Sequence, residues 1–374
     1  MLQNKIYQNF IIEIFKTFLV ILFGLSIIAL TVRAVNFLDL IVDNGYPVNT
    51  YFKYSILNLF GIATKFIPLS FLLSLAIFIV KHLQDSEFVI LWTSGVRKIQ
   101  IVNLFFLTSI LILIFYLTLS TFITPYALNK SRQLLSNDEL NSFLPTVRSH
   151  KFSDSFKGFT FLVEKKFGNE IQNIFLYDDG NNLKNFSSNV SKASATTIIA
   201  ESGIIEKRNM FLFNGQIIST KKENKKNEVI KFEQLNINLG DLTTTTIKKP
   251  KLQETSTYKL FNCLISSNYN NSYCKKDSDK EIIPALNRRL ILPLYIPILS
   301  LICSLLLIKT KKKYFNKFSI FVLGLLLIVF TELSLRYTGL NNFMKVFFIF
   351  FPFILFFIFY PYLIFKFSNE SKKV

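Results

Sequence analysis

The stretch Ile99–Ile123, IQIVNLFFLTSILILIFYLTLSTFI, decides the fold class, because it contains no charged side chain. About 20 residues of helix cross the ~30 Å hydrocarbon core of a bilayer, so this stretch is long enough to be a membrane span. Five further apolar runs are predicted spans: Phe10–Val32, Tyr51–Val80, Ala285–Ile308, Phe318–Leu335 and Val346–Phe365. The sequence therefore predicts a membrane protein with six spanning helices.

The composition favours a membrane chain over a soluble enzyme. Of the 374 residues, 51% are hydrophobic and 16% are aromatic. The formal net charge of +19 suggests nucleic acid or anionic lipid as a partner, but Lys, Asn, Ile and Phe are abundant together, as an AT-rich genome would produce. The positions of the charges are therefore more informative than their sum, and we predict no nucleic-acid partner.

The first two runs carry further signals. Phe10–Val32 is too long for the apolar core of a cleavable signal peptide and lacks a small-residue cleavage site, so we interpret it as the first span. Pro68 lies within the second run and predicts a kinked or tilted helix.

Basic residues in the short loops predict the orientation, because cytoplasmic loops are enriched in Lys and Arg. Lys81, Arg97 and Lys98 lie between the second and third runs, and Lys309–Lys317 (KTKKKYFNK) holds five lysines. The loop between the first two runs, residues 36–50, has no Lys or Arg. We expect a multi-pass protein of the bacterial inner membrane with both termini cytoplasmic and the long middle segment periplasmic.

The middle segment predicts strands. Four stretches combine β-branched and aromatic residues or alternate apolar and polar ones: Phe159–Lys166, Ile171–Asp178, Met210–Thr220 and Val229–Leu239. We interpret Thr196–Lys207 as a strand pair that turns at Glu201-Ser202-Gly203. Several short strands with turns between them suggest a sandwich or jelly roll.

The predicted fold class is an α+β membrane protein with six transmembrane helices, arranged 3+3 around an inserted periplasmic β-jellyroll-like domain. The predicted divisions are residues 1–127 for helices one to three, 128–284 for the β-rich domain, and 285–374 for helices four to six with a cytoplasmic tail.

Catalytic motifs are missing from the sequence. It has no HExxH, Walker A, GxGxxG or GxSxG pattern, and its two histidines, His82 and His150, are far apart. We therefore predict that the chain is not an enzyme and has no catalytic residue, metal or cofactor. Any nucleotide hydrolysis must be supplied by a partner.

The three cysteines do not form a CxxC motif. Cys303 lies in an apolar run and is interpreted as a small hydrophobic residue. Cys263 and Cys274 lie outside the predicted spans. In an oxidising periplasm they could close a short disulfide loop, and the alternative is two unpaired thiols.

The segment Asp85–Lys98, DSEFVILWTSGVRK, predicts a short helix on the cytoplasmic side. Asp85 or Ser86 can cap it, and Glu87 suits the positive end of the helix dipole. Gly95 can end the helix in a left-handed turn.

Phe88, Leu91 and Trp92 share one face of this helix at i, i+3, i+4 spacing. Two interpretations follow. The helix either rests on lipid as an interfacial connector, or it is a coupling helix that docks in the groove of a cytoplasmic motor.

Several charges lie where the topology does not require them. Arg33 lies at the outer end of the first span, Lys65 lies within the second, and Glu332 and Arg336 lie one turn apart in the fifth. Ionisable groups inside a membrane are costly and are therefore candidates for function. Glu332 and Arg336 can also simply neutralise each other at i, i+4 spacing.

Arg33 and Lys65, with Lys53 and Lys345 near the same interface, form a candidate cationic ring. A phosphate-bearing lipid of the outer leaflet is the natural ligand, because cations pair strongly with phosphate. We assign lipid-phosphate binding to Arg33, Lys65 and Arg336. The competing explanation is that each side chain extends separately to the interface.

The order of these motifs resembles the lipopolysaccharide export permeases LptF and LptG, the YjgP/YjgQ family, over essentially the whole chain. The resemblance is carried by five stretches: Ile6–Leu22 (IYQNFIIEIFKTFLVIL), Thr31–Gly45 (TVRAVNFLDLIVDNG), Ile67–Leu75 (IPLSFLLSL), Asp85–Lys98, and Leu286–Leu294 (LNRRLILPL). Glu13 and the LNRR motif are similar to the LptF pattern rather than to that of LptG. Lys65 departs from the family pattern.

The resemblance implies a permease subunit of an ABC transporter that extracts lipopolysaccharide from the outer leaflet of the inner membrane. It implies an LptB-like ATPase dimer, an LptG-like paralogue as heterodimer partner, and LptC- and LptA-like periplasmic proteins. It places Glu87 at the ATPase contact and Arg33 near the lipid cavity, and it makes spans one and five the lateral gates. The coupling set is Asp85, Glu87, Phe88, Leu91, Trp92 and Gly95.

Two other classes of membrane protein share some of these features. A membrane-anchored periplasmic sensor or envelope-assembly factor would need neither an ATPase partner nor Glu87. Permeases of macrolide or lipoprotein exporters usually carry the external domain after the first span, whereas here it follows the third.

Overall fold

The computed structural model describes residues 2–38, 48–141, 149–150, 152–156, 158–179, 193–206, 209–221, 227–238, 251–265, 279–308 and 313–371. The chain divides into two compact units. The helical unit comprises Met1–Val32, Ile56–Asn129 and Pro250–Val374, and the sheet unit comprises Arg33–Ser55 and Lys130–Lys249.

The described helices are, in chain order, α1 (Leu2–Phe37), α2 (Val48–Gln84), α3 (Glu87–Thr93), α4 (Lys98–Thr118), α5 (Thr124–Asn141), α6 (Thr257–Ile265), α7 (Asp279–Leu290), α8 (Ile296–Ser304), α9 (Lys313–Tyr337) and α10 (Asn342–Ser371). A π-helical turn, Leu119–Ile123, connects α4 to α5, and 3₁₀ turns at Leu292–Tyr295 and Leu305–Leu307 flank α8.

Five of the described helices are long and apolar enough to cross a membrane, or six if the bent pair α7 and α8 counts as one span. The chain is therefore a multi-pass membrane protein, as predicted. The bend of 45° lies between Lys280–Leu290 and Leu292–Leu307. The sequence predicted a span over Ala285–Ile308 without a bend. Pro293 and Pro297 lie just after the bend and cannot donate backbone hydrogen bonds, which favours a break in the helix here.

The third predicted span, which α4 and α5 form together, extends further than predicted. α5 continues to Asn141, well into the segment that was expected to form strands. Its residues include Ala127, Leu128, Lys130 and Arg132, all strong helix formers, and Pro125 in its first turn is tolerated.

α8 lies at the centre of the helical unit. Ile296, Leu299, Leu301 and Ile302 are at most 1% exposed. α8 packs against α4, α9 and α10. A helix that is buried on all sides explains why α8 is apolar around its whole circumference.

The strands form one antiparallel sheet of six strands in sequential order. They are β1 (Ser153–Phe156), β2 (Phe159–Phe167), β3 (Glu170–Asp178), β4 (Ala193–Glu206), β5 (Asn209–Lys221) and β6 (Asn227–Asn238). One face carries the core of this unit, which includes Phe161, Ile174, Ile198, Leu212 and Ile237. The α+β class is thereby confirmed, whereas the jelly roll and the 3+3 arrangement stay predictions.

Core-facing and outward-facing side chains alternate along the strands, but this alternation is interrupted once in neighbouring strands. In β3 the core positions Ile171 and Ile174 are three residues apart instead of two, and in β4 they are Ala200 and Gly203. Ile174 pairs with Ala200 and Ile171 with Gly203, so the two interruptions lie side by side in the sheet. We call the residues between these pairs, together with Asn214 of β5, the bend row.

The prediction of a strand pair turning at Glu201-Ser202-Gly203 is wrong, because β4 is one continuous strand. Gly203 faces the core instead of a turn. A Cβ atom there would lie 2.9 Å from both Ile174 Cδ1 and the Phe211 carbonyl oxygen. The glycine thus permits close packing at the bend row.

Candidate functional site

The segment that follows α2 forms the short helix α3, as predicted. Ser86 precedes it in the left-handed conformation (φ 59°) and makes no side-chain capping bond, so the predicted Ser86 cap is not formed. Asp85 precedes this residue and donates its backbone N–H to the Lys81 carbonyl. At the other end, Gly95 has φ +95° and donates its backbone N–H to the Trp92 carbonyl, which is the predicted left-handed end.

The apolar stripe of α3 packs into its own helical unit. Phe88 is fully buried, and Leu91 and Trp92 pack against the same core. Val89 and Ile90 lie on the opposite face and are 46% and 65% exposed. The surface of α3 that is available to another protein therefore differs from the stripe that the sequence suggested.

Four charged or titratable side chains meet beside α3, and we call them the His82 cluster: Glu13, Lys81, His82 and Glu87. Lys81 Nζ lies 2.8 Å from Glu13 Oε1. His82 Nε2 lies 3.4 Å from Glu13 Oε2 and 3.2 Å from Glu87 Oε2. The cluster joins α1, α2 and α3.

A second polar site is a cavity of about 260 Å³ between α2, α4, α7 and α9, which we call the Arg288 pocket. Its charged lining residues are Lys65, Glu281, Arg288, Arg289, Glu332 and Arg336. Four cations and two carboxylates leave a formal excess of positive charge. A pocket of this composition among apolar helices suits an anionic group.

Arg288 is central to this pocket. Its Nη2 atom lies 2.8 Å from Glu332 Oε2, so the predicted neutralisation of Glu332 by Arg336 does not occur among the described residues. The Arg288 Nε–H is buried and has no hydrogen-bond partner in the described part of the chain. A buried donor without an acceptor is costly, and an anionic ligand would satisfy it.

Arg289 has a different role from that of its neighbour. Its Nη1 donates to the Thr255 carbonyl at 2.9 Å, and its Nη2 donates to the Leu252 carbonyl at 3.0 Å. Nη1 also donates to Thr257 Oγ1, and that hydroxyl donates to the Thr121 carbonyl in the π turn. Arg289 therefore ties the segment before α6 to the helices.

The remaining predicted lipid-binding residues are distributed between the two units. Lys65 and Arg336 are both exposed residues of the Arg288 pocket. Arg33 is exposed near the end of α1 and belongs to the sheet unit. In that unit the end of α1 packs on the start of α2, where Tyr51 Oη donates to the Ala34 carbonyl at 3.0 Å.

One of the two cysteines in the described residues is a free thiol, and the other is bonded. Cys303 is a free, buried thiol. Cys263 is disulfide-bonded, and its predicted partner Cys274 lies outside the described residues. Within the described ranges, no group of three or more His, Cys, Asp or Glu side chains could hold a metal ion.

Sequence reasoning missed several residues of these sites, of which Arg288 and His82 are the most important. Arg288 was noted only as part of the LNRR motif, although two adjacent arginines at the predicted outer end of a span were a usable signal. His82 was noted only because it formed no metal motif. Its two carboxylate neighbours lie on other helices, so no spacing in the sequence could reveal them.

Long apolar helices around a cationic pocket, in a chain that also carries an antiparallel sheet, define a multi-pass membrane protein of the permease type. The chain belongs to the lipopolysaccharide export system permease LptF/LptG family, whose model matches residues 10–366. It is therefore a permease of lipopolysaccharide export and not itself an enzyme. No curated protein matches the chain.

Proposed function

We propose that the chain is the LptF-type permease of an ABC transporter that extracts lipopolysaccharide from the outer leaflet of the inner membrane. ATP hydrolysis in a partner drives the extraction, and the lipid passes to a periplasmic bridge. The observation that carries this proposal is the Arg288 pocket, where excess positive charge and a buried, unpartnered N–H occur among apolar helices. Lipopolysaccharide offers the matching chemistry, with phosphates for the cations and acyl chains for the apolar surfaces.

Lys65 and Arg336 hold lipid phosphates together with Arg288. Arg33, which belongs to the sheet unit, is a separate proposed lipid-phosphate contact. Arg288 extends the set that the sequence predicted. The Arg288–Glu332 pair keeps the guanidinium in place while its Nε–H remains for the ligand.

The proposed topology has six spans arranged 3+3, both termini in the cytoplasm and the sheet unit in the periplasm as a jellyroll-like domain. The proposed divisions are residues 1–127, 128–284 and 285–374. The lysine-rich loop Lys309–Lys317 supports this orientation, because cations are enriched on the cytoplasmic side.

The proposed partners are an LptB-like ATPase dimer, an LptG-like paralogue and LptC- and LptA-like periplasmic proteins. The ATPase binds α3, the coupling helix. Glu87, with a side chain 48% exposed, and the exposed Val89 and Ile90 form the contact surface. Asp85 and Gly95 lie at its two ends, and Phe88, Leu91 and Trp92 anchor it to the helical unit.

The test is affinity purification of the full chain from its native membrane in mild detergent, with and without Glu87→Ala. We expect a small ATPase and a second six-span permease to co-elute with the wild type, and less ATPase with the variant. Lys16→Gln, which removes one exposed charge on α1, is the control and should leave the ATPase bound. A wild-type chain that elutes alone, or only with periplasmic proteins, would instead support a sensor or assembly factor.

A further inference from the structure

His82 lies in the last turn of α2 and is 2% exposed, although it contacts two charged side chains. Its Nε2 atom lies between Glu87 of α3, at 3.2 Å, and Glu13 of α1, at 3.4 Å. Its Nδ1 atom lies 3.0 Å from the Phe78 carbonyl oxygen. A single ring thus connects three helices.

Both ring nitrogens face oxygen acceptors. The imidazole can therefore bridge the backbone of α2 on one side and the two carboxylates on the other. The rings of Phe10, Phe78 and Phe88 lie 5.1, 4.0 and 5.6 Å from the His82 ring, so aromatic side chains surround it.

The carboxylates of the cluster come from α1 and α3, and the groups that contact them come from α2. Lys81 contacts Glu13, and His82 contacts both Glu13 and Glu87. Asp85, in the α2–α3 connection, interacts electrostatically with Lys81. Glu13 is therefore shared between Lys81 and His82.

Ser86, between α2 and α3, has a left-handed backbone conformation and provides no side-chain cap. The Glu87 carboxylate, at the start of α3, is held by its contact with His82, and about half of its side chain is exposed to a partner.

We propose that His82 is a positioning residue that carries movement of the coupling helix α3 to α1, through the contacts Glu87–His82–Glu13. This inference rests on the proposed function and deepens it. α1 is one of the two helices that the family resemblance makes a lateral gate, so the link would connect ATP hydrolysis to lipid entry.

The test uses the purified full complex in proteoliposomes that contain lipopolysaccharide. ATP hydrolysis and lipopolysaccharide release are both measured, which gives the lipid released per ATP. For His82→Gln we expect the ATPase to co-purify as in the wild type and the KM for ATP to stay unchanged. The lipid released per ATP falls at least about fivefold, a loss of about 1 kcal/mol of coupling.

Two variants serve as controls. Lys16→Gln changes an exposed charge on α1 and leaves the ratio unchanged. Lys81→Gln removes the Lys81–Glu13 ion pair and keeps the contact of Glu13 with His82. We therefore expect it to lower the lipid released per ATP less than His82→Gln does. Because Glu13 acts through His82, the double variant Glu13→Gln/His82→Gln releases no less lipid per ATP than His82→Gln alone.

A spectroscopic readout tests the link in the chain itself. The chain has two histidines, so His150→Gln leaves His82 as the only source of imidazole ¹⁵N signals. We expect these signals to shift in Glu13→Gln and in Glu87→Gln but not in Lys16→Gln. If His82→Gln does not fold, Glu13→Gln, whose side chain is 36% exposed, carries the coupling test.

Three results overturn the proposal. The first is an unchanged amount of lipid released per ATP in His82→Gln, and the second is loss of the ATPase from His82→Gln, as expected for Glu87→Ala. The third is that the His82 ¹⁵N signals do not shift in Glu13→Gln. A wild-type chain that binds no ATPase overturns the proposed function and the transmission role together. In that case the ¹⁵N signals still show whether the three-helix contact exists.

Discussion

Arg288 and Arg289 are adjacent residues of α7 with different surroundings. Arg288 lines the pocket, forms one ion pair and keeps a buried N–H without a partner among the described residues. Arg289 donates to the carbonyls of Leu252, Gln253 and Thr255. The first arginine is therefore available to a ligand, whereas the second is occupied by the chain.

This difference predicts opposite effects of the same substitution. Arg288→Gln weakens lipopolysaccharide binding by about tenfold, the equivalent of one charge-assisted hydrogen bond, and changes the unfolding midpoint little. Arg289→Gln leaves buried carbonyls without donors and costs roughly 1–3 kcal/mol for each. The measurements are lipid binding and thermal unfolding of the purified chain.

Lys280→Gln, on the exposed start of α7, is the control for both variants. Equal losses of stability in Arg288→Gln and Arg289→Gln would contradict the separate roles.

At the scale of the element, α3 has an anchoring face and a free face. Phe88→Ala opens a cavity in the core and is expected to destabilise the chain by about 3–5 kcal/mol. Ile90→Glu changes a residue that is 65% exposed, so we expect normal thermal unfolding but loss of the co-purifying ATPase. If Ile90→Glu retains the ATPase in full, the partner does not use this face.

The bend row of the sheet predicts which substitutions β5 tolerates. Asn214 has φ +50°, a conformation that β-branched residues adopt only at a cost of about 1–2 kcal/mol. Asn214→Val should therefore lower the temperature at which protease cleaves the sheet unit in the full-length chain. Asn214→Gly, which accepts this conformation, should leave that temperature nearly unchanged. Equal cleavage temperatures for Asn214→Val and Asn214→Gly would mean that the backbone around residue 214 rearranges to accept valine.

At the scale of the whole molecule, the proposed topology assigns opposite sides of the membrane to α3 and the sheet. A membrane-impermeant maleimide should label Ile90→Cys only from the cytoplasmic side and Lys231→Cys only from the periplasmic side. Both original residues are exposed. Labelling is measured as the increase over the parent chain, whose Cys303 is buried. Labelling of both variants from one side would overturn the topology.

Much of the fold follows from local pattern. Uninterrupted apolar runs predicted the long helices, because only length and hydropathy decide whether a helix can span a bilayer. β-Branched and aromatic residues predicted β2, β3 and β5, and alternation predicted β6, all to within two residues at each end. The turn chemistry of Gly95 predicted the end of α3.

Other features depended on contacts between distant residues. Glu201-Ser202-Gly203 resembles a turn locally, but it lies within β4. The alternation of side chains is interrupted at the same place in β3, so the two strands stay paired. The break before α8 depends on how Pro293 and Pro297 fit among packed helices. A hydropathy pattern contains no information about that packing.

The sequence by itself determined the membrane class, the family and the position of the short helix α3, because these depend on composition and short-range order along the chain. The tertiary structure decided which charges meet. Glu332 pairs with Arg288 rather than with Arg336 on its own helix, and His82 meets Glu13 across 69 positions of sequence. Electrostatic pairing depends on distance in space, and only the packing of the helices sets that distance.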